Sequence, residues 1–128
     1  MNINEFMKTN EYPDFIKENS GNGKLKIRAY AASEALPVDG LNIIVSSVIN
    51  NEEVVFFKGV TDTSGMIPTI SLPAPKNELS NLIIPKTITY KIKAYKNINN
   101  ASSFTINMYD GICVVQNINF VPGEEYGS

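Results

Sequence analysis

The sequence predicts an all-β domain: a seven-stranded antiparallel Greek-key sandwich preceded by a short helical N-terminal arm. Three observations carry that reading. From Lys24 onward apolar residues recur with period two, as in "KLKIRAYAA" and "KTITYKIKAY", the alternation that turns one face of a strand toward a core. Turn signals rich in Gly, Pro, Asn and Asp separate the apolar runs at sandwich spacing, with no helical pattern between them. Finally, 128 residues that are 43% apolar suffice for one core, since a chain of this size buries about 70% of its unfolded surface.

The arm comes first. Residues 1–22 read as helical arm and linker, 23–122 as the sandwich, and 123–128 as a polar tail. In "NINEFMKTN", Ile3, Phe6 and Met7 have helical spacing; in "YPDFIKEN", Pro13 fits a first helical position and Asp14 the first turn, where the helix dipole favours an acid. Tyr12, Phe15 and Ile16 form one apolar face. Helices this short are unstable alone, so Phe6, Met7, Tyr12, Phe15 and Ile16 must be covered by the domain or by a partner. A neighbouring protein subunit is the expected cover. "NSGNGK" at 19–24 reads as the linker.

The strands follow in order. "KLKIRAYAA" sets Leu25, Ile27 and Ala29 against Lys26, Arg28 and Tyr30, and "EALPVDG" is a turn. "LNIIVSSVI" places Leu41, Ile43 and Val45 on one face. Asn50–Asn51 suits a hairpin turn because Asn tolerates positive φ, and "EEVVFFKGVT" is the returning strand. "MIPTISL" is a short strand at an edge or bulge, because Pro68 donates no hydrogen bond. Residues 73–86 are a long loop. "KTITYKIKAY" separates Ile88, Tyr90, Ile92 and Ala94 from Thr89, Lys91, Lys93 and Tyr95. "SFTINMY" is followed by Asp110–Gly111, a type I′ hairpin signal, and then by "ICVVQNINF".

Composition excludes several functions. Net charge is −2 and Arg28 is the single arginine, poor material for a nucleic-acid backbone. The absence of histidine removes the commonest general base and zinc ligand. Cys113 is the single cysteine, so no intrachain disulfide forms; within "GICVVQ" it reads as a small buried hydrophobe. No run approaches the roughly 18 apolar residues of a membrane helix. The acidic, polar N-terminus lacks a signal-peptide pattern, so synthesis in the cytoplasm is expected.

The motifs that resemble sites have simpler readings. "TDTSG" could supply Asp62, Thr63 and Ser64 as oxygen ligands, but calcium normally takes more than one carboxylate and no second acid follows within ten residues. Asp62 is expected to cap backbone amides across a turn, with Gly65 at positive φ. "GNGK" lacks P-loop spacing. Glu52–Glu53 and Glu124–Glu125 are adjacent pairs that point apart rather than converge across a cleft. Tyr30 and Tyr95 are the weak candidates for a sugar platform. Lysines on the outward faces of the "KLKIRAY" and "TYKIKAYK" strands are edge protection or a docking surface. No catalytic residue, cofactor or metal is expected.

The order of these pieces resembles the carboxypeptidase-regulatory-like (transthyretin-like) β-sandwich family. "GKLKIRAYAASEALPVDGLNIIV" looks like its opening and "GVTDTSGMIPTISL" like its "TD-x-x-G" hairpin. A clostridial branch is closer still: "LPAP" at Leu72–Pro75, then Ser80, Tyr90–Ile92, and Gly111, Gln116 and Pro122. The resemblance covers residues 23–122. It implies a fold akin to transthyretin and immunoglobulin domains, no catalysis, and a binding or scaffolding role. That branch occurs beside peptidoglycan-binding or cortex-lytic modules and as small separate proteins. Related adhesin domains form a Lys–Asn isopeptide bond assisted by an acid; here Ala94 holds that position, so Lys24 or Lys26 is not expected to crosslink to Asn117 or Asn119. The expected function is a non-catalytic structural or surface-decoration subunit of a bacteriophage or phage-tail-like particle, contacting protein subunits and neither nucleic acid nor membrane. The alternative is a peptidoglycan or spore-cortex targeting module at the spore or cell-wall surface.

Overall fold

The computed structural model describes residues 1–31, 36–77, 86–97 and 101–120. Ser80, Pro85, Pro122 and the 123–128 tail lie outside the described residues. Two helices, α1 (Ile3–Phe6) and α2 (Tyr12–Glu18), precede eight strands: β1 (Gly21–Ala31), β2 (Leu36–Pro37), β3 (Asn42–Ile49), β4 (Glu52–Val60), β5 (Ile70–Ala74), β6 (Ile88–Tyr95), β7 (Ser102–Met108) and β8 (Cys113–Asn119). The seven expected strands are all present, and the two-residue β2 is added to them.

The strands form two sheets. The first has the order β4-β3-β6-β7 and is antiparallel throughout. The second is built on β1. β5 pairs with the first half of β1 and β2 with its last two residues, both antiparallel. β8 runs beside β1 from Lys24 to Tyr30 in parallel. The expectation of a wholly antiparallel sandwich is therefore corrected at this pair. β7 lies in the first sheet and β8 in the second, so the chain crosses the sandwich between them instead of folding back as a hairpin.

Alternation in sequence becomes alternation in burial. Along β1, Leu25, Ile27 and Ala29 are buried while Lys24, Lys26 and Arg28 are exposed. They meet Leu41, and Ile43, Val45, Tyr90, Ile92, Ala94 and Met108 from the opposing sheet, in one core. Each fully buried large aliphatic side chain contributes roughly 1.5–3 kcal/mol. Between Val45 and Ser46 the β3–β4 register shifts by one residue, leaving Phe56 as the extra residue of a bulge. Phe56 and its neighbour Phe57 both pack on the core as a result. Asn50 (φ 51°) and Asn51 (φ 66°) both adopt positive φ, as a type I′ turn requires, and close the β3–β4 hairpin.

Two strand boundaries and the burial of one residue differ from the sequence reading. β1 begins at Gly21 rather than Lys24, pairing with Ala74 and Pro73, so the boundary drawn at residues 22/23 falls inside a strand. "GNG" has the composition of a linker, yet its glycines serve close approach: a Cβ on Gly23 would lie 2.6 Å from the Tyr109 carbonyl oxygen. β5 begins at Ile70; Met66 makes only an isolated bridge to Arg28. Cys113 is exposed, not buried, because its position opposite Lys24 in the β1–β8 register turns it to the outer face.

Candidate functional site

The polar groups that looked most like chemistry are tied to the backbone. Asp62 Oδ1 accepts the amides of Ser64 at 2.8 Å and Met66 at 3.1 Å, and its carbonyl accepts Gly65 N–H at 2.9 Å. Gly65 has φ +75°, and a Cβ there would collide with the Ala29 carbonyl oxygen. Its own carbonyl accepts Ala29 N–H at 2.7 Å. One carboxylate and one glycine thus shape the loop that leads from β4 to β5 and hold it against β1. Thr61, buried beside them, accepts Leu41 N–H and donates to the Val38 carbonyl.

Asp110 performs a similar task at the β7–β8 crossing. Its carboxylate accepts Asn22 N–H at 3.1 Å and Asn77 N–H at 3.2 Å, while the Asn77 side-chain amide donates to the Asp110 carbonyl. Only Gly111, at φ +77°, has positive φ in this turn. A type I′ turn needs two such residues, so that expectation is corrected: the Asp-Gly pair joins two sheets, whose strands do not require the I′ twist. The amides of Asn22 and Asn77, with a smaller contribution from Lys76, hold the Asp110 carboxyl below its ordinary value. A depressed folded-state pKa adds stability that is present above the unfolded value near 3.8 and lost as pH falls through the folded value. Asp110→Asn is expected to reduce stability at neutral pH and to flatten the acid limb of a pH series of urea titrations.

Tyr90 is the polar residue that alternation alone did not single out. Its ring is fully buried, and its hydroxyl donates to the Pro73 carbonyl at 2.6 Å, linking the two sheets through the core. Burial pushes its pKa up from 10.0. The sign is opposite to that of Asp110: the contribution is complete below the unfolded pKa and is lost as pH rises beyond it. Tyr90→Phe is expected to cost about 1–2 kcal/mol near pH 7 and to weaken the alkaline dependence of Tm.

The helical arm closes one end of the sandwich. Asn2 caps α1 through a capping box with Glu5, which satisfies two otherwise orphaned donors. Val55 N–H donates to the Met1 carbonyl at 2.8 Å, and Asn2 bridges to Val55 in parallel, covering part of the β4 edge. Phe6 (1% exposed) and Phe15 (6% exposed) form a second cluster with Val54. Their rings meet edge to face at 5.5 Å; Tyr12 meets Phe6 at 6.0 Å, and Phe56 links Phe15 to Tyr90. The expectation that Phe6 and Phe15 dock on a neighbouring subunit is corrected: the ends of β3, β4 and β6 supply their cover. Tyr12 is half-buried, while Met7 (49%) and Ile16 (36%) remain exposed. The sequence contained the signal in "EEVVFF", whose consecutive apolar residues exceed what one strand face can bury.

An open groove of about 780 Å³ lies beside α2, with Phe15, Val48, Ile49 and Ile88 as apolar lining and Glu18 and Lys86 among its polar groups. Among its described lining residues no nucleophile is paired with a base. Among the described residues no group of His, Cys, Asp or Glu is placed to hold a metal ion. Tyr30 and Tyr95 occupy the outer faces of different sheets and cannot form one sugar platform. Lys24, Lys26, Asn117 and Asn119 are all exposed on the outer face of the second sheet, far from the buried Ala94 of the first.

This arrangement of sheets matches solved structures. The 5-hydroxyisourate hydrolase of Klebsiella pneumoniae superposes with a TM-score of 0.53 at 15% identity, over 78% of this chain and 91% of that one. The protein has a transthyretin-like β-sandwich fold. Transthyretin from Sparus aurata gives a TM-score of 0.48 at 13% identity, over 75% of this chain and 90% of that one. No protein-family model and no curated protein sequence matches the chain. At such identities the transthyretin-like likeness is one of fold alone. No helix among the described residues is long and apolar enough to cross a membrane.

Proposed function

We propose that the protein is a non-catalytic structural or accessory subunit that presents a rigid transthyretin-like sandwich within a larger assembly. The supporting observation is the use of its polar side chains. Asp62, Asp110, Thr61 and Tyr90, the groups with the most chemical potential, all bond backbone atoms that join strands or sheets. Such groups confer rigidity and are not arranged to meet a substrate. The sheet faces remain for contact, carrying Lys24, Lys26 and Arg28 on one side and Lys58, Lys91 and Lys93 on the other.

The assembly we favour is a bacteriophage or phage-tail-like particle of a clostridial host, with the sandwich as a decoration module. This rests on the sequence resemblance to a branch that includes small separate proteins. The experiment is fractionation of the producing cells after particle induction, with the chain detected by antibody. Co-sedimentation with intact particles supports the proposal. Saturable binding to purified peptidoglycan, with none on particles, replaces it with a wall- or cortex-targeting role.

A further inference from the structure

The outer face of the second sheet carries an unbalanced charge. Lys24, Lys26 and Arg28 follow one another at alternate positions of β1, all exposed. β1, β2, β5 and β8 contain no acidic residue. Arg28 lies over the Tyr30 ring, 5.8 Å from its centroid, but none of the three cations forms an ion pair among the described residues. Exposed apolar residues adjoin the row: Val115 (57%), opposite Lys26, and Ile112 (49%).

The complementary surface is on the same chain at a different place. Glu11, Asp14 and Glu18 are spaced i, i+3 and i+7, which sets them on one flank of α2. All three are exposed, and none forms an ion pair among the described residues. Glu11 is oriented by the Asn50 side-chain amide at 3.2 Å, a neutral partner that leaves its charge uncompensated. The spans correspond. Four residues of strand from Lys24 to Arg28 extend about 13 Å, and seven residues of helix from Glu11 to Glu18 extend about 10 Å.

We propose that the chain self-associates, with the Lys24–Lys26–Arg28 row of one copy seated against the Glu11–Asp14–Glu18 flank of another. Two different patches are joined, so the contact either repeats head to tail or closes as a reciprocal pair. A second copy is the occupant because it supplies an acidic row of matching length. The proposal goes beyond the structural-subunit reading and does not depend on which particle or wall hosts the chain.

The test is sedimentation velocity on the full chain. At about 10 mM salt, where the Debye length is about 30 Å, wild type should associate. Its apparent association constant should fall about tenfold or more by 150 mM. The variants Lys24→Glu/Lys26→Glu/Arg28→Glu and Asp14→Lys/Glu18→Lys should each remain monomeric at low salt, with circular dichroism confirming the wild-type fold. Mixed together they should associate again, since each then offers the charge the other lacks. A wild type that is monomeric at low salt overturns the proposal, as do variants that associate like wild type or a mixture that stays monomeric. Association that survives charge reversal but disappears when residues 121–128 are deleted assigns the contact to the tail and also overturns it.

Discussion

Phe15→Ala is expected to destabilise the protein by about 3–5 kcal/mol, the range for removing a buried aromatic ring. That loss corresponds to a fall in Tm of roughly 10–20 °C. The ring is the keystone of the end cluster: it meets Phe6 on one side and Phe56 on the other, and Phe56 meets Tyr90 in the main core. Removing it opens a cavity between the arm and the ends of β4 and β6. Met7→Ala serves as the internal control. Met7 belongs to the same arm but is 49% exposed, so its change should stay within about 0.5 kcal/mol. Equal, small effects from both substitutions would show that the arm does not pack on the sandwich. The consequence for function is direct. Of the five apolar arm residues expected to dock, only Met7 and Ile16 remain exposed to a partner, beside the acidic flank of α2.

Gly65→Ala is the second large expected effect. At φ +75° an alanine is strained, and its Cβ would collide with the Ala29 carbonyl oxygen. Strain of about 1–3 kcal/mol adds to an overpacking cost of about 1–3 kcal/mol. Relief requires β1 to move, yet β1 is held on both edges, by β5 and β8. Gly111→Ala separates the two causes. Gly111 has the same sign of φ, +77°, but nothing lies within 4 Å of its would-be Cβ. It should lose only about 1–2 kcal/mol from conformation. Chemical denaturation of the two variants measures the difference, and equal losses would contradict the steric account of Gly65.

What was legible in the sequence follows from physical locality. Alternation located the strands because a residue's face depends only on its parity along the chain, and it correctly set Leu25, Ile27 and Ala29 against Lys26, Arg28 and Tyr30. The Asn50–Asn51 turn was legible because positive φ is a local property of the residue type. Pairing was not local. Nothing in "ICVVQNINF" declares that it runs parallel to β1, and the Asp110–Gly111 signal reads the same whether the next strand returns beside β7 or crosses to the other sheet. The exposure of Cys113 follows from that same pairing. "GNG" looked like a linker because glycine supplies both flexibility and close packing, and composition does not separate them. The arm's apolar face was visible in Phe6, Tyr12 and Phe15. Its cover was not, because that cover depends on the bulge at Phe56 and on the exposed ends of three strands.

Native-state hydrogen exchange tests the central claim most directly, namely that the arm is built into the sandwich and the whole is one rigid presenting unit. The relevant amides are Phe6 (bonded to the Asn2 carbonyl), Phe15 (to Glu11), Asn19 (to Phe15) and Val55 (to Met1). They are expected to be protected well above unfolded-chain rates, and to lose that protection together in Phe15→Ala while the amides of β3 remain slow. Exchange of the arm amides at unfolded-chain rates in the wild type, beside a protected β3, would contradict it.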